Sequence, residues 1–275
     1  MNMKRQSSPL QAITLKTPWV RIIALLTSLF GIAAPALSFQ PAIEPVSAAA
    51  QAFSDGDYDA VLEICAIDPD AENLALCARA MNTIAYLGGG KKKTVRKAAR
   101  NARNYALRAL EQDPNHIEAL IQAAISDALR GGHIAPWRAF VEGLPARAKD
   151  YLDRALALDP DNVWALSSAG AWNIEVVRAG GKHLYDADPQ LGYQQMARAR
   201  TLAPDNISIA YETALRLIAF DRVGWREDAL LALNDAVTKP ALYAHEHAIQ
   251  ERALAFQQAL RAGPEAERLF IDGQS

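Results

Sequence analysis

The sequence predicts an all-α fold, an array of repeated helical hairpins, and three observations carry that prediction. Proline-containing turns recur at near-constant spacing: "DPDAEN" at Asp68, "DPNH" at Asp113, "DPDN" at Asp159 and "APDN" at Ala203. Their prolines, Pro69, Pro114, Pro160 and Pro204, are separated by 45, 46 and 44 residues, and self-similarity on that scale marks stacked supersecondary units. The segments flanking the turns, such as "NYALRALEQ" before Pro114 and "IEALIQAAISDALR" after it, are rich in Ala and Leu, with apolar residues at i, i+3, i+4 and i+7. No segment alternates as a strand does.

The N-terminal 38 residues are of a different kind. They hold four basic residues (Lys4, Arg5, Lys16 and Arg21) and no acid, followed by the apolar run "IIALLTSLFGIAAPALS" with small residues Ala34, Ala36 and Ser38 at its end. A positive start, a short apolar stretch and an A-x-A-like exit describe a secretory signal peptide over residues 1–38, cleaved between Ala36 and Ser38. The 13 residues from Ile22 to Ala34 fall short of the roughly 18–20 that span a bilayer; an uncleaved anchor is the alternative. No cysteine follows closely enough for lipid anchoring. The expected location is the periplasm, with no stable membrane insertion after cleavage. What remains, residues 39–275, is one helical repeat domain, and a chain that is 51% hydrophobic can bury a sizeable core. It carries 25 basic and 31 acidic residues, a formal charge of −6, which argues against general nucleic-acid binding but leaves room for local basic clusters.

Element by element, the chain begins with "AAAQAFSDGDYDAVLEICAIDPD", a helix, a Gly-Asp-Tyr turn and a second helix. In the units that follow, the stretch from each Pro to the next Gly turn stays at 18 to 21 residues, whereas the return from Gly to Pro is 24, 28 and 23 residues in the three central units, against 13 and 16 in the first and last. The excess is therefore expected in the turns "GGGKKKTVRK", "GGHIAPWRAFVEGLPAR" and "AGGKHLYDADPQ". Insertions at one phase of an array project from one edge. Each turn opens with glycines, as helix C-termini do, and the basic residues that follow suit the negative end of the helix dipole.

These residues resemble the tetratricopeptide repeat. "ALEQDPNHIEAL" and "ALALDPDNVWAL" look like the joint between successive repeats. Ala148, Leu152 and Ala155 follow the A-x3-F-x2-A pattern with Leu for the aromatic, and Ala102, Ala106 and Ala109 repeat it more weakly. Leu166, Ala169 and Gly170 take the places of W-x2-L-G. The likeness covers roughly residues 46–260, and the period exceeds the family's 34 residues by about ten. It implies a right-handed α-solenoid of about five helix-turn-helix hairpins, with closing helices expected over Leu242–Ala262 and Pro264–Ile271.

The two cysteines, Cys65 and Cys77, fall on antiparallel helices sharing the Pro69 turn. In an oxidising compartment that spacing permits a disulfide clamping the N-terminal end; two separately buried thiols are the alternative. Catalytic chemistry finds little footing. "GGGKKKT" and "GGKH" lack the strand and the G-x4-G-K-[ST] spacing of a phosphate loop. "HEH" at 245–247 is not a zinc-protease pattern, and His133 with His183 is the best of weak metal candidates. Ser167 and Ser168 sit in a helix without a nucleophile elbow. No catalytic residue, metal or cofactor is expected.

The resemblance implies instead that the first helix of each unit lines a concave face. Glu118, Ile121 and Ile125 are placed there by one unit, Trp164, Ser167 and Ile174 by the next, and Tyr211 and Leu215 by the third. That mostly apolar face with Trp and Tyr suits a protein or peptide, unless the chain's own C-terminal helices fill it. A second candidate surface is the loop edge: Lys91, His133, Trp137, Lys182, His183 and Tyr185. The expected function is that of an exported, non-enzymatic interaction module binding a protein or peptide through the groove, the loop edge or both. The alternative is a small-molecule-binding accessory component of envelope transport.

Overall fold

The computed structural model describes residues 47–88 and 92–273. The expected signal peptide and Lys91 lie outside them. Among the described residues there are fourteen helices and no strand.

Local chemistry sets the helix ends. Helix α1 (Ala48–Asp55) stops at Gly56, whose φ of 80° is left-handed, and α2 (Tyr58–Ile67) starts from Asp57, whose carboxylate accepts from the Ala60 N–H. Helices α3 (Ala71–Leu87), α8 (Val163–Arg178) and α11 (Ile207–Phe220) begin after the proline turns. Asp70, Asn162 and Asn206 cap them, each accepting from the N–H three residues on. The same place before α5 (Ile117–Gly132) is taken by His116, whose ring nitrogen accepts from Ala119. The closing helices are α13 (Ala244–Ala262) and α14 (Pro264–Asp272), within two residues of expectation.

The enlarged turns are not alike. In the first, α4 begins at Lys92 and runs unbroken to Gln112, 21 residues, so "KKTVRK" lengthens a helix rather than a loop. Lys, Arg and Ala are strong helix formers, and nothing past Gly90 breaks them. The second folds into the short helix α6 (Pro136–Val141), started by a proline at its first position, before α7 (Leu144–Leu158). The third holds a single turn, α9 (Lys182–Tyr185), before α10 (Pro189–Leu202); Asp188 caps α10 by accepting from Gln190.

Packing runs from neighbour to neighbour. Helix α3 lies against α4 and α5, α5 against α7, α8 against α10 and α11, and α11 against α12 (Arg226–Thr238). Small residues permit the close approaches. On α4, Ala99, Ala102, Ala106 and Ala109 are all fully buried. Where α8 crosses α10, a Cβ on Gly170 would stand 2.7 Å from the Gly192 carbonyl, and one on Gly192 the same distance from that of Gly170. Asn82 donates to Gln122, and Arg79 pairs with Glu118 at 2.7 Å. The residues meet in the same order, so α3 and α5 run parallel. Arg216–Glu175, 3.2 Å, joins α11 to α8. At the opposite end of the hairpins a tie recurs: Gln112, Arg154 and Lys239 donate to the carbonyls of Pro69, Pro114 and Pro204.

Cys65 and Cys77 form a disulfide between α2 and α3, their Cα atoms 6.6 Å apart. Helix α13 then returns to the start of the chain and packs against α1 and α3 as well as α11 and α12.

Candidate interaction surfaces

The residues expected along the concave groove are brought near one another, but most are enclosed. Ile174, Tyr211 and Leu215 belong to one buried cluster with Ile249, Ala253 and Phe256 of α13. Ile121 is buried with Leu120, Ala155 and Ala165, with Ile125 and Trp164 half-buried beside them. Ser167 is buried. Glu118 is half-buried and ion-paired with Arg79, whose guanidinium also lies over the rings of Phe53 (5.7 Å) and Trp164 (5.8 Å). Where Ile174, Tyr211 and Leu215 meet α13, they are covered by the chain itself.

The seam made by α13 is unusually polar. Tyr86 at the end of α3 donates to Glu212 on α11, Glu212 pairs with Arg216 at 2.9 Å, and Arg216 reaches Glu175. Arg252 of α13 donates to the carbonyls of Tyr86 (2.9 Å) and Leu87 (3.1 Å), caps on α3 supplied from 165 residues away. Burial first, then the Glu212 charge, drive the Tyr86 phenol well above its ordinary pKa; burial does the same to Tyr211. Among the described residues, Tyr211 Oη on α11 and His245 Nδ1 on α13 are buried without a hydrogen-bond partner from the protein.

The loop edge is open. On α6, Trp137 is 69% exposed and Val141 72%, with Phe140 at 53%; Leu184 on α9 is 64% exposed. The Phe140 and Tyr185 rings meet at 6.4 Å, and Tyr185 packs against Trp172 at 6.3 Å, so the two insertions form one ridge. Lys182 and His183 are exposed beside it, Tyr185 is half-buried, and His133 bonds to the Leu129 carbonyl at 2.9 Å. Phe140, Val141 and Leu184 were not singled out from sequence. Trp137, Phe140 and Val141 nonetheless have the i, i+3, i+4 spacing of a short amphipathic helix behind Pro136.

Buried charge fixes the ridge. Glu142, at the end of α6, pairs with both Arg130 and Arg138; the Arg138 hydrogen bond, then the Arg130 charge, hold its carboxyl below the usual range. Arg147 donates to the Glu142 carbonyl and pairs at 3.0 Å with Asp127, a fully buried carboxylate that Arg103 also approaches at 3.3 Å. One partner removed from such a network leaves an uncompensated buried charge, which is strongly destabilising.

Clefts among the described residues offer little more. One of about 290 Å³, between α10, α11 and α12, is lined by Tyr193, Arg200, Asp228, Asp235 and Lys239. Its polar groups already satisfy one another: Tyr193 donates to Asp228 and Arg200 pairs with Asp235. The other is about 60 Å³, too small for an organic ligand. Among the described residues no cluster of three His, Cys, Asp or Glu side chains could hold a metal ion. Comparison with protein-family models and with curated proteins finds no match for this chain.

Proposed function

We propose that this chain is an exported, non-enzymatic interaction module whose partner, a protein or peptide, docks on the loop edge. The observation that carries the reading is the ridge of Trp137, Phe140, Val141 and Leu184, exposed to solvent and held in place by paired charges. Exposed apolar patches of this kind mark interaction sites, and Trp is the residue type most enriched at interface hot spots. The hairpin series is read as a right-handed α-solenoid of the tetratricopeptide kind. The parallel order of α3 and α5 supports this, as do the repeated ties to proline carbonyls and the Gly170–Gly192 crossing. Export is supported by the N-terminal sequence and by a disulfide, which persists in oxidising compartments. Among the described residues no helix is long and apolar enough to cross a membrane.

The small-molecule reading draws less support, because the larger cleft spends its charges on internal pairs. The test compares photo-crosslinking in whole cells from a reactive residue at position 141 with the same probe in a Trp137→Ala/Phe140→Ala background. The reading requires a discrete crosslinked protein that the double variant loses. Mass spectrometry of the mature N-terminus checks export independently.

A further inference from the structure

The ridge does not stand alone. The outward face of α4 carries Lys93, Lys97 and Arg100 at i, i+4, i+7, exposed and without an ion-pair partner among the described residues. Val95 and Ala98 on the other side of α4 pack with Leu129, one turn before His133, which sets that part of α4 beside the end of α5 that leads into α6. On the far side of the ridge Lys182 is likewise exposed and unpaired. Elsewhere most basic side chains are neutralised, and the chain beyond residue 38 is net acidic. The apolar ridge thus has an unpaired basic stripe on one side, on α4, and on the other Lys182, four residues from the exposed Asp186.

We infer that the partner on this edge is a protein segment pairing an apolar face with flanking Asp and Glu side chains. This rests on the reading of the loop edge as the contact surface. Charge complementarity selects the acidic flank, and it acts on association rate and on the choice of partner. An anionic bilayer offers the same charge and an apolar layer, but it needs no fixed relief. Here a six-residue helix is pinned through Glu142, Arg147 and the buried Asp127, and such pre-organisation strengthens recognition of a partner with defined shape.

The test is selection from a displayed random dodecapeptide library on the purified protein, followed by fluorescence anisotropy of the strongest peptide recovered. Flotation with phosphatidylglycerol vesicles runs in parallel. Trp137→Ala/Phe140→Ala and Lys93→Glu/Lys97→Glu are compared after thermal unfolding confirms that both remain folded. The expected result is peptides combining aromatic or aliphatic residues with several Asp or Glu. Their binding falls about tenfold in the charge variant or at high salt and disappears in the ridge variant. Peptides that need the ridge but ignore charge and salt overturn the acidic partner and leave the ridge as the contact surface. Peptides indifferent to the ridge variant overturn both. Ridge-dependent flotation of vesicles with no peptide recovered assigns the surface to a bilayer and overturns the inference; recovery of neither overturns both readings.

Discussion

Tyr86, at the end of α3, donates its phenolic proton to Glu212 on α11, 126 residues further along the chain. With Arg252 bound to the Tyr86 and Leu87 carbonyls, it joins the early helices to the late ones. Tyr86→Phe removes one hydrogen bond to a charged acceptor, while Glu212 keeps Arg216. The expected loss is about 1–2 kcal/mol, read by denaturant unfolding. Faster amide exchange should appear in α13 before α4. Uniform acceleration along the chain would deny the seam any separate identity.

At the α8–α10 crossing, Gly170→Ala and Gly192→Ala each place a methyl 2.7 Å from a backbone carbonyl, and at Gly170 also 2.5 Å from Met196 Cγ. Backbone cannot yield as a side-chain tip does, so each should cost at least the roughly 1–3 kcal/mol of an overpacked core. Gly132→Ala, where nothing lies within 4 Å, serves as the control and should leave the melting temperature unchanged or raised.

Reduction of Cys65–Cys77, or Cys65→Ser/Cys77→Ser, opens a loop of 12-residue separation. Chain-entropy reasoning gives a destabilisation of about 2–3 kcal/mol. Thermal melts with and without reductant measure it; the variant should be insensitive to the reductant.

His245 sets a pH dependence. It is packed on Phe53 at 5.4 Å, and its pKa is lowered from the ordinary 6.5 chiefly by burial, with Glu246 opposing and Arg79 adding to the effect. The unfolded chain therefore takes up the proton first. Above pH 6.5 this site costs nothing; as pH falls below 6.5 toward the lower folded value, stability is progressively lost. In His245→Phe, which fits the aromatic contact without a charge, stability measured between pH 7 and pH 5 should decline less steeply than in the native protein. Equal slopes would remove His245 from the account.

Much of this architecture could be read from the residues. Gly56, Asp57, Asp188 and Pro189 announce helix ends by stereochemistry that acts over three or four residues, and the bounds of α13 and α14 follow from apolar spacing and Gly263-Pro264. The lengthening of α4 was not anticipated, because a glycine triplet and lysines are compatible with either a loop or a helix start. Less legible still was the enclosure of Ile174, Tyr211 and Leu215. An amphipathic helix records which face is apolar, not which element will cover it, and pairings such as Tyr86–Glu212 leave no local mark. At the loop edge, Trp137 and Tyr185 drew notice by residue type. Phe140 and Leu184 acquired meaning only once the α6–α9 ring contact was visible.

The return of α13 to α1 and α3 has a consequence for the order of assembly. Contacts between successive helices span short stretches of chain and form quickly, whereas closing α13 onto α3 joins residues some 165 positions apart, a slow step in any sequence of folding events. Until Ala244–Ala262 has been synthesised and has swung into place, Ile174, Tyr211 and Leu215 lack part of their cover. A nascent or carboxy-terminally clipped chain therefore presents a sticky half-built interior, and it is the arrival of α13, the last helix but one to be made, that ends this exposure.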